Sequence, residues 1–182
     1  MMPWFEDPDK AIVQCSHAIA VDSQNAKAFL YRGEAHRHKR NFDDAIVDLT
    51  CVIGMIPNNT HNSKMLKILI DAHICRGAAF ANNDDLDEAI DDFSQAIELA
   101  PDSVLAWRNR GVAWHEKGGF DQAIADYSRA IELDSNDPDS YMRRGLSFKR
   151  LKKDQQARTD FATVRQLKKE GRELRRFSTR QA

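Results

Sequence analysis

Large apolar residues recur three and four positions apart along most of this chain, as in Ala89, Ile90, Phe93, Ala96 and Ile97. That spacing places them on one face of a helix and predicts amphipathic helices rather than strands. Short polar clusters break the pattern: Asn82-Asn83-Asp84, Gly118-Gly119 and Asp134-Ser135-Asn136-Asp137-Pro138. These are turn residues between helices. Pro138 is placed to be a first helical residue, where a missing N–H costs nothing. Asn58-Asn59-Thr60-His61-Asn62 reads as a loop, with Ser63 as the N-cap of the helix that follows.

The pattern repeats. Ala106-Trp107-Arg108-Asn109-Arg110-Gly111 matches Ser140-Tyr141-Met142-Arg143-Arg144-Gly145, and Leu86-Asp87-Glu88-Ala89-Ile90 matches Phe120-Asp121-Gln122-Ala123-Ile124. An Arg-Gly pair stands at 32–33, 76–77, 110–111 and 144–145. The last two steps are 34 residues and the first is 44, so ten residues are inserted between Pro57 and Asp71. Each second helix carries a small residue (Ala45, Ala89, Ala123, Ala157) and a large one four later (Leu49, Phe93, Tyr127, Phe161). Gly facing Ala lets two helix backbones approach closely, and one hairpin cannot bury its own apolar face, so hairpins must stack.

A 34-residue period with Gly in the first helix and Ala in the second resembles the tetratricopeptide-repeat family. The resemblance covers roughly residues 26–170 and implies an all-α solenoid of antiparallel helix hairpins. The expected organisation is a half-repeat helix in 1–25, repeats at 26–59, 60–103 (with the insertion), 104–137 and 138–170, and a basic capping helix or tail at 171–182. In the half-repeat, Ala11, Cys15 and Ala18 lack a first-helix partner, and Met2, Trp4 and Phe5 or another subunit are candidates to cover them. Leu174 and Phe177 are expected to cover the last repeat.

One feature departs from the family pattern. The residue before each Gly is usually leucine in the family; here it is Arg32, Arg76, Arg110 and Arg144. Sixteen residues on stand Asp48, Asp92, Asp126 and Asp160. Arginine suits a bidentate carboxylate partner, so these eight residues are expected to form structural ion pairs.

The resemblance also implies a concave groove lined by first helices and occupied by a peptide. Mapped residue by residue, that face carries Tyr31, Glu34, Cys75, Arg108, Asn109, Val112, Arg143 and Leu146, with His115, Lys149 and Arg150 nearby. The family's grip on a chaperone's C-terminal carboxylate matches only at Asn109 and Arg143 and misses at Ile74, Ala78 and Asp139. A chaperone tail is therefore not the expected ligand. A basic groove wall favours an acidic peptide or a carboxylate terminus.

Charge sharpens this picture. Of 27 Lys and Arg residues, 12 fall in 149–182, against 4 of the 28 Asp and Glu, so a basic tail follows an acidic body. No apolar run approaches the roughly 18 residues of a membrane span, so no membrane insertion is expected. The start lacks a basic-then-apolar signal pattern. A cytoplasmic location is the expectation. Cys15, Cys51 and Cys75 are an odd count without metal-type spacing, which argues against disulfides and zinc. No phosphate-binding glycine loop, nucleophile elbow or His-Glu-x-x-His motif occurs. The expectation is a non-catalytic adaptor for another protein or peptide, with no cofactor and no metal. The first alternative is a homo-oligomer assembled through the apolar stretch Met65, Leu66, Ile68 and Leu69 or through the half-repeat. The second is an anionic partner on the basic tail, with nucleic acid the least favoured of these.

Overall fold

The computed structural model describes residues 7–178, with side chains through 170. Met2, Trp4 and Phe5 lie outside those residues, and Leu174 and Phe177 lie beyond the described side chains, so the roles expected of them fall outside what is described. Within them the chain is all helix, with no strand: α1 (Pro8–Val21), α2 (Ala26–His38), α3 (Phe42–Met55), α4 (Ser63–Asn82), α5 (Leu86–Leu99), α6 (Val104–Lys117), α7 (Phe120–Leu133), α8 (Pro138–Arg150) and α9 (Asp154–Ser178).

The starts of the helices follow capping chemistry. Asp7, Asn25, Ser103 and Asp137 each accept a backbone N–H from the first turn of the next helix. Pro138 opens α8. At α4 the cap is Asn62, whose side chain accepts from the Lys64 and Met65 N–H groups, and Ser63 is already helical. The expected Ser63 cap is therefore displaced by one residue. The inserted region lengthens both the loop before α4 and the helix itself, and α4 runs for 20 residues.

The turns inside the hairpins share a backbone device. Arg40, Asp84, Gly118 and Lys152 occupy equivalent places between paired helices, and all four have positive φ, at 64°, 69°, 89° and 58°. Glycine adopts this conformation freely, whereas for a residue with a side chain it costs roughly 1 kcal/mol or more.

The helices form two compact units divided after Pro101. In the first, α2 pairs with α3 and α4 with α5, while α1 packs on α2 and α3 on α4. Its core gathers Leu30, Ala45, Leu49, Val52, Ile56, Leu69 and Ala72. In the second, α6 pairs with α7 and α8 with α9, and α7 packs on α8. There Ala106, Ala113, Ala123, Tyr127, Ala130, Ala157 and Val164 are buried. In both units the first helices of successive hairpins also touch, α2 with α4 and α6 with α8. That shared side is the face on which a ligand could lie.

Candidate functional site

The four arginines before the glycines do not lie on that face as free cations. Arg32 Nε and Nη2 donate to Asp48 at 2.8 and 2.7 Å. Arg76 donates in the same way to Asp92, both at 2.8 Å. Arg110 donates to Asp126, both at 2.8 Å, and Arg144 to Asp160 at 2.9 and 2.8 Å. Each pair joins the two helices of one hairpin, because the arginine is one residue before the close-approach glycine and the aspartate three after the facing alanine. The aspartates are buried, and two N–H donors per carboxylate offset their desolvation.

Arg32, Arg76 and Arg144 also reach the preceding second helix. Their Nη1 groups donate to a hydroxyl there: Arg32 to Ser16 at 3.1 Å, Arg76 to Thr50 at 2.9 Å and Arg144 to Ser128 at 3.0 Å. A ring also lies beside each of the four guanidiniums, Trp107 nearest, with its centroid 4.9 Å from Arg110 Cζ.

In the first unit the expected groove residues Tyr31 and Glu34 come from α2 and Cys75 from α4, all half-buried. Lys27 Nζ lies 5.4 Å from the Tyr31 ring centroid. Burial pushes the Cys75 thiol up to about 12, with Glu34 and Asp71 adding to the rise and Arg37 opposing it. It is therefore a neutral, unreactive thiol that packs against the core. The expected self-association stretch needs correction. Leu69 is fully buried and Ile68 packs on the core, because both fall on the side of α4 that meets the rest of the unit. Of the four, Met65 alone is well exposed. Beside α1 an open hollow of about 230 Å³ is lined by Ala11, Cys15, Ala18, Ala28 and Tyr31, among others.

In the second unit the face is built from α6 and α8. Arg108, expected to meet a ligand, instead donates to Asp137 at 3.0 Å. Asp137 is the N-cap of α8 and also accepts the Ser140 hydroxyl at 2.6 Å and the Asp139 N–H at 3.1 Å. Burial would raise this carboxyl, but the bonds from Ser140 and Asp139 and the Arg108 charge outweigh it and hold it below the usual range. The stability it contributes is thus present above the ordinary carboxylate pKa and lost as pH falls through the lowered value. Asp137→Ala is expected to cost about 1–3 kcal/mol, read as a lower melting temperature. Arg108→Ala should cost less, and almost nothing in the Asp137→Ala background. Additive losses in that double-mutant cycle would show that the two side chains act independently.

Arg143 is differently placed. It hydrogen-bonds the Tyr127 hydroxyl, whose pKa burial raises and Arg143 opposes. Among the described residues no carboxylate pairs with Arg143 or with Arg150. The Arg150 guanidinium lies 4.9 Å from the Phe120 ring centroid. The His115 ring meets the same Phe120 edge to face at 5.1 Å. His115 Nδ1 is 2.7 Å from Ser147 Oγ, which in turn donates to the Arg143 carbonyl. On the same two helices, Asn109, Val112 and Arg143 are half-exposed and Leu146 is exposed. The role of His115 and Ser147 could not be read from sequence, because their contact joins helices 32 residues apart.

Among the described residues no group of three His, Cys, Asp or Glu side chains is placed to hold a metal ion, and no helix is long and apolar enough to cross a membrane.

Comparison with known proteins agrees with this architecture. No curated protein sequence matches the chain. Among solved structures, a crystal structure of MamA is 21% identical, with a TM-score of 0.81 over 92% of both chains. YrrB, described as a TPR protein with an unusual peptide-binding site, is 16% identical, with a TM-score of 0.70 over 90% of this chain and 79% of its own. The second TPR of Spaghetti (RPAP3), bound to an HSP90 peptide, is 28% identical, with a TM-score of 0.53 over 54% of this chain and 91% of its own. The tetratricopeptide-repeat sequence profile itself matches residues 76–138 and 116–167. With the helical-repeat solenoid and the 34-residue period in register, the chain belongs to the tetratricopeptide-repeat family.

Proposed function

We propose that this protein is a non-catalytic interaction module that holds a peptide segment of another protein on its first-helix face. The observation that carries the reading is the α6–α8 side of the second unit. There α6 carries half-exposed Asn109 and Val112, and α8 carries exposed Leu146 and half-exposed Arg143, a cation with no carboxylate partner among the described residues. Such a surface offers hydrogen bonds, apolar contact and a charge to one extended segment. The peptide bound by the RPAP3 repeat and the peptide-binding site named for YrrB support the same use of the fold.

The test is affinity capture from lysate of the source organism, comparing wild type with Asn109→Ala/Arg143→Glu after matched melting curves. Arg108 is left intact because its bond to Asp137 would confound the result. The expected result is a partner retained by wild type and reduced at least about tenfold by the variant, the loss of about 1.4 kcal/mol that one charged contact supplies. Equal capture by both would remove this face as the site. A second reading, self-association through the half-repeat, is supported by the hollow beside α1 and by exposed Val13 and Val21.

A further inference from the structure

We propose that the hollow between α1 and α2 is a receptor for large apolar side chains, and that the chain's own Trp4 and Phe5 occupy it in place of the first helix that α1 lacks. This occupant excludes a second copy from the hollow that the self-association reading uses.

The contacts of α1 put it in the register of a second helix. Arg32 donates to Ser16 at 3.1 Å, as Arg76 does to Thr50 and Arg144 to Ser128. Each hydroxyl follows its small alanine (Ala11, Ala45, Ala123) by five residues. Two positions that meet a first helix in the complete hairpins are changed in α1. Where Asp48, Asp92, Asp126 and Asp160 accept the arginine clamp, α1 carries Gln14. Where Leu49, Phe93, Tyr127 and Phe161 fill the space beside a glycine, α1 carries Cys15. A neutral amide needs no guanidinium, so the missing helix orphans no charge. The small thiol leaves room that the larger residues take up elsewhere.

That room is the open hollow of about 230 Å³, to which α1 contributes Ala11, Cys15 and Ala18 and α2 contributes Ala28 and Tyr31. Ala11 is buried, and Cys15, Ala18 and Tyr31 are half-buried. The volume is smaller than the roughly 300–1,000 Å³ of a small-molecule site. It suits one or two large side chains on a segment lying along α1.

The residues before Asp7 supply such a segment: Met1-Met2-Pro3-Trp4-Phe5-Glu6, apolar up to its last residue. Asp7 is the N-cap of α1. From there Ala11 lies about 6 Å and Cys15 about 12 Å along the helix. Trp4 is three residues before the cap, a span of about 10 Å when extended, and its indole covers the remainder. Phe5, one residue nearer, reaches the level of Ala11. Tethering then decides between this segment and another copy. A short flexible link presents the rings at an effective concentration on the order of millimolar, which a second copy at micromolar concentration cannot match. Tyr31 is also one of the expected groove residues, so the filled hollow closes the first-helix face at α2.

The test follows alkylation of Cys15 by iodoacetamide in the full chain, read by mass spectrometry, with half-buried Cys51 on α3 as the internal control. Trp4→Ser/Phe5→Ser, shown by circular dichroism to be folded, should raise the Cys15 rate about tenfold or more, the covered-to-open ratio that burial of one large apolar side chain sustains. The Cys51 rate should not change. Protection of Cys15 in the wild type should be equal at about 1 µM and about 100 µM protein, because a tether does not dilute. Cys15→Phe restores the large residue of the other second helices and should expel the segment. Chymotrypsin, which cuts after large apolar residues, should then cleave after Trp4 or Phe5 about tenfold faster than in wild type. An unchanged Cys15 rate in Trp4→Ser/Phe5→Ser overturns the proposal, as does unchanged cleavage of Cys15→Phe. Protection that is lost on dilution overturns it too, and gives the hollow to a second copy. None of these outcomes bears on the capture experiment, whose substitutions lie on α6 and α8.

Discussion

Asp92→Ala is expected to lower the stability of the first unit by about 3–5 kcal/mol, the range for removing one partner of a buried ion pair. Asp92 is 3% exposed and accepts three hydrogen bonds, two from Arg76 and one from His73 Nδ1 at 2.8 Å. Its loss strands two groups at once. His73 is itself buried, and its Nε2 has no hydrogen-bond partner among the described residues. Arg76 keeps its hydrogen bond to Thr50 and the Phe80 ring, but no carboxylate. Asp48→Ala, which strands Arg32 alone, should therefore be the milder of the two changes. Urea denaturation reads the difference as a lower midpoint at unchanged slope. A cost under about 1 kcal/mol for Asp92→Ala would mean that water replaces the carboxylate, and that the pair contributes no more than an exposed one. Replacing both partners with apolar residues, as in Arg76→Met/Asp92→Leu, should recover part of the loss, since no charge is then left uncompensated.

Close packing of the second unit should be as sensitive to an added methyl group. Gly111→Ala places a Cβ 2.8 Å from Cε1 and 3.0 Å from Cδ1 of Tyr127. The ring is 1% exposed and its hydroxyl is tied to Arg143, so it has nowhere to move. Alanine in place of glycine favours a helix by roughly 1 kcal/mol, but overpacking costs about 1–3 kcal/mol. The net result should be a loss, and Gly111→Leu should prevent the hairpin from closing. Tyr127→Leu should restore part of the stability of Gly111→Ala, which identifies the ring as the obstacle. Gly54 is the control: it lies inside α3, and a Cβ added there would meet nothing within 4 Å, so Gly54→Ala should stabilise. If Gly111→Ala behaved like Gly54→Ala in thermal melts, backbone approach would not be what these glycines provide.

How far the sequence disclosed the molecule depends on whether a feature repeats. Helix pairing, the Gly–Ala approach and the sixteen-residue Arg–Asp spacing recur in every hairpin, so comparing the repeats exposes them. Turns were readable at Asn82-Asn83-Asp84 and Gly118-Gly119, but the left-handed geometry shared by Arg40, Asp84, Gly118 and Lys152 was not. Single events were harder still. Arg108 looks like a ligand-facing cation until the fold brings Asp137 to it. Leu69 looks like part of an apolar projection until α4 turns it into the core. The contact of His115 with Ser147 joins two first helices 32 residues apart in the chain, and no periodicity carries that information.

The arginine clamps also bear on how such a chain can change length. Each bidentate pair lies wholly within one hairpin, and the extra bond made by Arg32, Arg76 and Arg144 reaches only to a hydroxyl on the helix before. A duplicated copy of residues 104–137 spliced in after residue 137 would therefore arrive with its own Arg–Asp pair. Its arginine would meet Ser128 of the original, the hydroxyl that Arg144 meets now, and Arg144 would find the copied serine. In these arginine contacts the old and new joints would be alike. Gain or loss of repeats by recombination would leave no buried charge orphaned, so the stack is a polymer whose monomer can be added without redesigning its ends.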